Sequence, residues 1–314
     1  MPDREHQALL ELGRALSRQG YRFVTITPAS HQRVVQRAER RGDGRAHDLR
    51  DVFGWNLPFD ARLLGAELAE LLRASGRWVE TPRGLRSTVR FSTIGARLFV
   101  HSGFPTDHED AVFFGPDTYR FVDFIERAAP RARRLVDVGC GSGAGGIVLA
   151  ERAATVVLAD INEQAIAFAR INAALAGVTA ELHEGDVLAG VDGDIDLVTA
   201  NPPYMIDGHA RTYRNGGGEH GEGLAARIVR ESVARLAAGG TLLVYTGAPI
   251  VGGVDVFLRA VEPVLAAADA RLAYREIDPD VFGEELDTPG YADVERIAVV
   301  GLIATVPPTA GAGR

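Results

Sequence analysis

Asn201-Pro202-Pro203-Tyr204 is a tetrapeptide whose residue types and order describe a reaction. A carboxamide or base amino nitrogen is a poor nucleophile because its lone pair is delocalised. It becomes usable when both N–H bonds are held by acceptors and the lone pair is aimed at an electrophilic carbon. The Asn201 side-chain oxygen can accept one N–H and the Pro202 carbonyl the other, since proline keeps its acceptor and has no donor. Consecutive prolines confine Asn201 and Pro202 to extended backbone, which sets the two acceptors in advance. Tyr204 can lay its ring against a flat acceptor group. Catalysis of this kind is mostly positioning and electrostatic preorganisation.

Three further groups stand upstream in the chain. Asp137, Gly139, Gly141 and Gly143 form D-x-G-x-G-x-G after an apolar run, where glycines let the backbone turn and approach a ligand closely. Asp160, within Val156–Asn162, ends the second expected strand 23 residues after Asp137, and its carboxylate can accept both hydroxyls of a ribose. Gly185-Asp186-Val187 follows before the run that leads into Asn201. Gly141-x-Gly143-x-x-Gly146 also satisfies a dinucleotide fingerprint, so a nicotinamide-cofactor domain competes.

The elements that must position these residues alternate. Strands are expected at 134–138, 155–160, 179–183, 195–200, 241–245, 270–277 and 295–304, with helices at 144–153, 163–176, 223–238 and 254–268. Such alternation predicts an α/β fold, a mostly parallel sheet with helices on both faces. The last two strands have no helix between them, which suggests an antiparallel hairpin at one end.

Ahead of this unit, residues Gly115–Pro130 read as a helix capped by Asp117 or Thr118, with Phe121, Phe124 and Ile125 on its buried face. Residues 1–114 read as a smaller α+β unit. Helices are expected at Ala8–Gln19, His31–Arg41 and Ala61–Gly76, the last closed by Gly76. Tyr21–Thr27 reads as extended or as the lead into the second helix, Arg40–Arg45 as a loop, and Asp51–Phe59 as an irregular apolar plug. After Gly76 come a strand, a Pro-Arg-Gly turn, a strand and a further short strand. Helices followed by a hairpin resemble a winged helix, which acts in nucleic-acid or partner docking and elsewhere as a lid. The domains are therefore 1–114, 115–306, and a disordered tail over 307–314.

Strand, glycine loop, helix, Asp160, Gly185-Asp186-Val187 and a strand ending in Asn-Pro-Pro-Tyr occur in the order that resembles the class I S-adenosylmethionine-dependent methyltransferases, over residues 115–304. The resemblance implies a Rossmann-like seven-stranded sheet and S-adenosylmethionine as cofactor. It implies that Asp137 holds the methionine end, with Gly139, Cys140, Gly141 and Gly143 in the loop. Asp160 and Ile161 would meet the ribose side, Asp186 and Val187 the adenine, and Asn201 would serve both cofactor and acceptor. Asp137 and the Gly185-Asp186-Val187 step weigh against the nicotinamide reading. Gly221, Gly223 and Leu224 at a helix start, with Gly239-Gly240 before the next strand, further resemble the release-factor glutamine methyltransferases. His220 and Glu222 either contact substrate or cap that helix. The longer first half, with its hairpin, and the segment Val112–Phe121 depart from that family, so its glutamine substrate does not carry over.

Composition sets the remaining bounds. Cys140 is the only cysteine, which excludes an internal disulfide and a four-cysteine zinc site. His108 among Asp107, Glu109 and Asp110 reads as a solvated acidic loop, so no metal is expected. No apolar run is long enough to span a membrane and no signal peptide opens the chain, which points to the cytoplasm. Residues 1–134 hold 22 Arg against 17 acids, and residues 135–314 hold 12 Arg against 25 acids. The net +5 of the first half falls short of a duplex-binding stripe, and with no Lys anywhere it fits compositional bias as well. The leading reading is therefore N-methylation of a carboxamide or similar nitrogen of a protein or peptide. An amino group of an RNA or DNA base is the alternative, a small molecule a further one, and a cofactor-sensing binding module the non-enzymatic one.

Overall fold

The computed structural model describes residues 2–42, 44–207 and 213–308. The first part of the chain holds α1 (Pro2–Arg18), α2 (Pro28–Arg41), α3 (Leu49–Phe53) and α4 (Gly65–Ala74). Then come β1 (Trp78–Thr81), β2 (Gly84–Ser87), β3 (Val89–Ile94) and β4 (Arg97–Ser102). β1 pairs only with β2 and β3 only with β4, two separate antiparallel hairpins among the described residues. Four strands thus replace the three expected.

Two further expectations fail here. Asp51–Phe59 is not irregular throughout, because Asp48 accepts the Asp51 amide at 2.8 Å and caps the short helix α3. The helix expected over Ala61–Gly76 begins as a 3-10 turn, Ala61–Leu64, and restarts at Gly65, whose φ is +71°. Gly76, at φ +66°, follows its end as expected.

The remainder holds α5 (Pro116–Ala128), β5 (Ala132–Val138), α6 (Ala144–Val148), β6 (Ala153–Asp160) and α7 (Glu163–Ala176). It continues with β7 (Glu181–Glu184), β8 (Ile195–Ala200), α8 (Gly223–Arg235), β9 (Leu236–Val251) and β10 (Val254–Asp255). It closes with α9 (Val256–Ala267), β11 (Arg271–Asp278) and β12 (Val294–Thr305). The sheet order is β11-β12-β9-β8-β5-β6-β7, with β10 paired to the far end of β9. β12 runs antiparallel to both neighbours, while β5, β6, β7, β8 and β9 pair in parallel. This is the doubly wound architecture with an antiparallel end that the alternation predicts.

Period-two alternation divides the sheet into two apolar faces. Val136, Val138, Val198, Ala200 and Val244 face α8 and α9, whereas Leu135, Leu197, Leu243 and Tyr245 face α5 and α6. α6 is shorter than expected, and a 3-10 turn, Ala150–Arg152, follows it. Gly145 and Gly146 weaken it intrinsically, yet neither position has room for a Cβ. β9 begins five residues before the expected strand and runs six beyond it, so α8 stops at Arg235. Pro307 does not hang free, since its carbonyl accepts the Gly239 amide at 3.1 Å; residues 309–314 of the expected tail lie outside the described residues.

The two halves share apolar packing through α7. Ala165, Phe168 and Ile171 of α7 join Leu9, Leu12 and Leu16 of α1 and Phe91 and Val100 of the second hairpin in one buried cluster. Asn172, fully buried, pairs with Val100 through both backbone groups, at 2.7 and 3.0 Å, and also donates to the Ser142 carbonyl at 2.9 Å.

Candidate active site

A cavity of about 230 Å³ opens at the carboxyl ends of β5, β6 and β8, where doubly wound sheets take ligands. Asp137, Gly139, Cys140, Gly141, Asp160, Ile161, Asp186, Val187, Asn201, Pro202, Pro203 and Tyr204 all line it. Gly143, expected among them, does not. At φ +78° it caps α6, and a Cβ there would meet Ile147, Leu158 and Ala169 within 3.3 Å, so it is a packing glycine beneath the loop.

Gly139 and Gly141 adopt φ +64° and +53°, with nothing nearer than 4.0 Å where a Cβ would stand. Their backbone is therefore both left-handed and open on the ligand side. Asp160 braces this loop. Its Oδ2 accepts the Gly141 amide at 2.8 Å and its Oδ1 the Asn162 amide at 2.9 Å. A carboxylate offers about four lone-pair positions, so acceptor capacity remains toward the cavity. Burial pushes the Asp160 pKa up against these amides.

Asp137 sits deeper. Its Oδ2 accepts the Gly146 amide and its Oδ1 the Thr199 hydroxyl, both at 2.8 Å, and it is 2% exposed. Burial pushes its pKa up to about 7. Its carboxylate thus ties the glycine loop to β8 at the cavity floor. Burial also raises the Cys140 thiol well above its ordinary value, so it stays protonated. Ile161 is 56% exposed at the mouth, an apolar surface that a flat ligand would cover. Asp186 is held by Arg227, whose two terminal nitrogens reach its two oxygens at 3.0 and 2.9 Å.

Open glycines, a braced carboxylate and an exposed apolar face fit the S-adenosylmethionine expected from the sequence. Asp117, Thr118, whose side chain accepts the Gly115 amide at 3.2 Å, and Phe121 complete that wall from α5. Thr118 is the capping residue. Asp117 is not, because its buried carboxylate takes other partners.

Asn201 is half-buried just past β8. Among the described residues nothing bonds its side chain or donates to the Pro202 carbonyl, so both acceptors stand ready. Tyr204 is 5% exposed, and its hydroxyl donates to Asp117 Oδ2 at 2.7 Å. Tyr245 donates to the other oxygen of Asp117 at 2.9 Å, and Arg120 lies 3.3 Å away. Burial, then Asp117, holds the Tyr204 hydroxyl well above its ordinary pKa, so it remains a donor.

Sequence reading missed the opposite wall. Phe113, Tyr213, Arg214 and Phe282 line the cavity from three distant segments. The Phe113 and Tyr213 rings lie parallel within 5°, centroids 6.0 Å apart, and Tyr213 donates to the Thr106 carbonyl. Arg214 bonds Glu285, with Asp207 3.6 Å from its Nε. The run Ala111-Val112-Phe113-Phe114 ahead of Gly115 was the available signal.

His220 and Glu222 neither line the cavity nor cap α8 with their side chains. Glu222 closes its own turn on the His220 amide at 2.9 Å, and His220 Nε2 lies 3.0 Å from Asp293. His108 is exposed beside Asp107, and no metal-binding cluster occurs among the described residues.

Residues 118–252 match the family model described as the methyltransferase small domain. A release factor glutamine methyltransferase from Deinococcus radiodurans is 37% identical over 122 residues, 35% of this chain and 44% of that one. A ribosomal RNA large subunit methyltransferase G from Streptomyces coelicolor is 29% identical over 243 residues, 69% of this chain and 63% of that one. The chain thus spans less than two thirds of either relative. The crystal structure of Trm5b from Pyrococcus abyssi superposes with a TM-score of 0.51 at 16% identity, over 79% of this chain and 69% of that one, a likeness of fold. Among the described residues no helix is long and apolar enough to cross a membrane.

Proposed function

We propose, for a chain whose residues 118–252 match the methyltransferase small domain, that it transfers a methyl group from S-adenosylmethionine to a planar NH2 nitrogen. The observation that carries this is the pair of unused acceptors, Asn201 side chain and Pro202 carbonyl, at the edge of a glycine-lined cavity. The bound cofactor supplies an electrophilic methyl carbon. Gly139, Gly141 and Asp160 would hold its nucleoside side, and Asp186, oriented by Arg227, would meet the base.

On the acceptor side, Asn201 and Pro202 would each take one N–H, directing the lone pair into the cavity. Tyr204, held by Asp117, would support one face of the acceptor. Because both acceptors are fixed before substrate arrives, little reorganisation accompanies transfer.

An amino group of an RNA base is the acceptor we favour over the carboxamide of a protein. The parallel Phe113 and Tyr213 rings, and Phe282 beside Tyr204 in the same cavity, offer flat apolar faces suited to a base. The match to the ribosomal RNA enzyme also covers more of this chain than residues 118–314 contain, so it runs into the N-terminal half. The carboxamide keeps support from the release-factor relative, whose match is confined to 35% of the chain.

Labelled S-adenosylmethionine added to a cell extract tests this, with Asn201→Ala as the blank. Label removed by ribonuclease supports the base reading, and label removed by protease replaces it with the carboxamide. Equal label in the blank would overturn methyl transfer at this site.

A further inference from the structure

A second cavity, of about 540 Å³, shares Ala111 with the first and lies between the β1–β2 hairpin, the segment 102–111 and α7. Two arginines line it. Arg77 is half-buried; its Nη1 donates to Gln164 Oε1 at 3.0 Å, and its guanidinium carbon stands 5.3 Å from the centre of the Phe168 ring. Gln164 in turn donates to the Asp110 carbonyl at 3.1 Å, which holds the amide in place. Of the five N–H donors of a guanidinium, one is used here, and no carboxylate comes within ion-pair distance among the described residues. Burial accordingly lowers the Arg77 pKa, with Glu5 and Asp110 attracting it only from farther away. The side chain of Arg86, also half-buried, makes no hydrogen bond or ion pair with any described residue, while its backbone pairs with Val79 of β1.

A guanidinium stacked on a ring, held by one neutral bond and otherwise unpaired is organised for an anion with several oxygens. Thr88 lines the same wall and can add a hydroxyl donor. The acidic groups of this cavity, Asp107 and Asp110, are exposed, and Asp107 lies 3.8 Å from His108. The wall between the cavities is fastened on both sides. The Phe104 amide donates to Asn56 at 2.6 Å, Asn162 donates to the Asp110 carbonyl at 2.8 Å, and Tyr213 reaches the Thr106 carbonyl.

We propose that this second cavity is a phosphate subsite, in which Arg77 and Arg86 grip the backbone of an RNA acceptor next to the nucleotide whose base reaches Asn201. The inference rests on the base-amino reading above. The excess of arginine over acid in the first half of the chain is consistent with it, and these two are the arginines the cavity puts to use.

The test is fluorescence anisotropy of a labelled 12-nucleotide RNA of mixed sequence with the full chain, across a salt series. Arg77→Gln, Arg86→Gln and a surface control, Arg62→Gln, are compared with the wild type. Each cavity variant should weaken binding by about fivefold or more near 0.1 M salt and lower the salt slope by about 0.7, with the control unchanged. Arg77 also packs on Phe168, so Arg86→Gln, which removes no side-chain hydrogen bond or ion pair among the described residues, carries the decision. No RNA binding, an Arg86→Gln variant equal to wild type, or an equal loss in the control overturns the subsite. Methyl transfer read in parallel separates the two ideas. RNA labelled normally by Arg86→Gln, with unchanged KM, sinks the subsite and spares the base reading. RNA held through Arg86 while label enters only protein sinks the base reading and, with it, the subsite's place beside an acceptor nucleotide.

Discussion

Tyr204 donates its hydroxyl to Asp117 across 87 residues of sequence, at 2.7 Å and out of reach of solvent. The bond joins the residue after Pro-Pro to the first turn of α5, so the wall beside the glycine loop also fixes the Tyr204 ring. Gly247 seals the arrangement from behind, since a Cβ there would stand 2.1 Å from the Tyr204 ring.

Tyr204→Phe should destabilise the fold by about 1–3 kcal/mol, because buried Asp117 loses one of its donors. Tyr245→Phe should do the same from the other oxygen. Denaturant midpoints of the two single variants and the double would check it. Energies that add without coupling would mean the two tyrosines do not act through Asp117.

Asn201→Ala should lower kcat by about a hundredfold or more while cofactor affinity changes little. Titration calorimetry with S-adenosylmethionine, beside turnover with labelled cofactor, separates the two effects. A loss confined to cofactor binding would remove Asn201 from the acceptor side.

Gly247→Ala should displace the Tyr204 ring and reduce turnover by about tenfold or more, with cofactor binding retained. Near wild-type turnover would show that the ring does not position the acceptor.

Asp137 carries a pH signature. Its folded pKa, about 7, lies above the ordinary carboxylate value of 3.8, so the folded state binds the extra proton. Its contribution to stability is therefore full below pH 4, falls as pH rises, and is lost above pH 7. Asp137→Asn should remove this fall, gaining on the wild type by a few kcal/mol, to order of magnitude, between pH 4 and pH 8. Asn can accept from Gly146 and donate to Thr199, so the loop geometry is kept. Parallel stability curves for the two proteins over that range would refute it.

The sheet was legible because its strands are apolar runs broken by helices of regular period, and the motif residues stand at strand ends. Spacing could place Asp160 and Asn201 at the cavity, but it could not say which way each glycine faces. Gly143 looks like its neighbours in the motif, and only the packing of Ile147, Leu158 and Ala169 around it shows that it serves the core. Asp117 has the sequence of a helix cap, and its two tyrosine partners lie 87 and 128 residues away. Phe113 and Tyr213 meet across a similar gap, which no local period reports. In the first half, the tip at Gly95, with φ +58°, was the overlooked sign of the second hairpin.

Asn172 holds a strand of that hairpin and the glycine loop with a single amide, and the helix that carries it offers its outer face to α1. A seam drawn at residue 115 would strip Phe168 and Ile171 of their cover and leave that amide one partner in place of two. Chimeras meant to exchange acceptor preference between relatives must therefore carry the matching α7 with the transplanted N-terminal half, or redesign its outward face for the new neighbour.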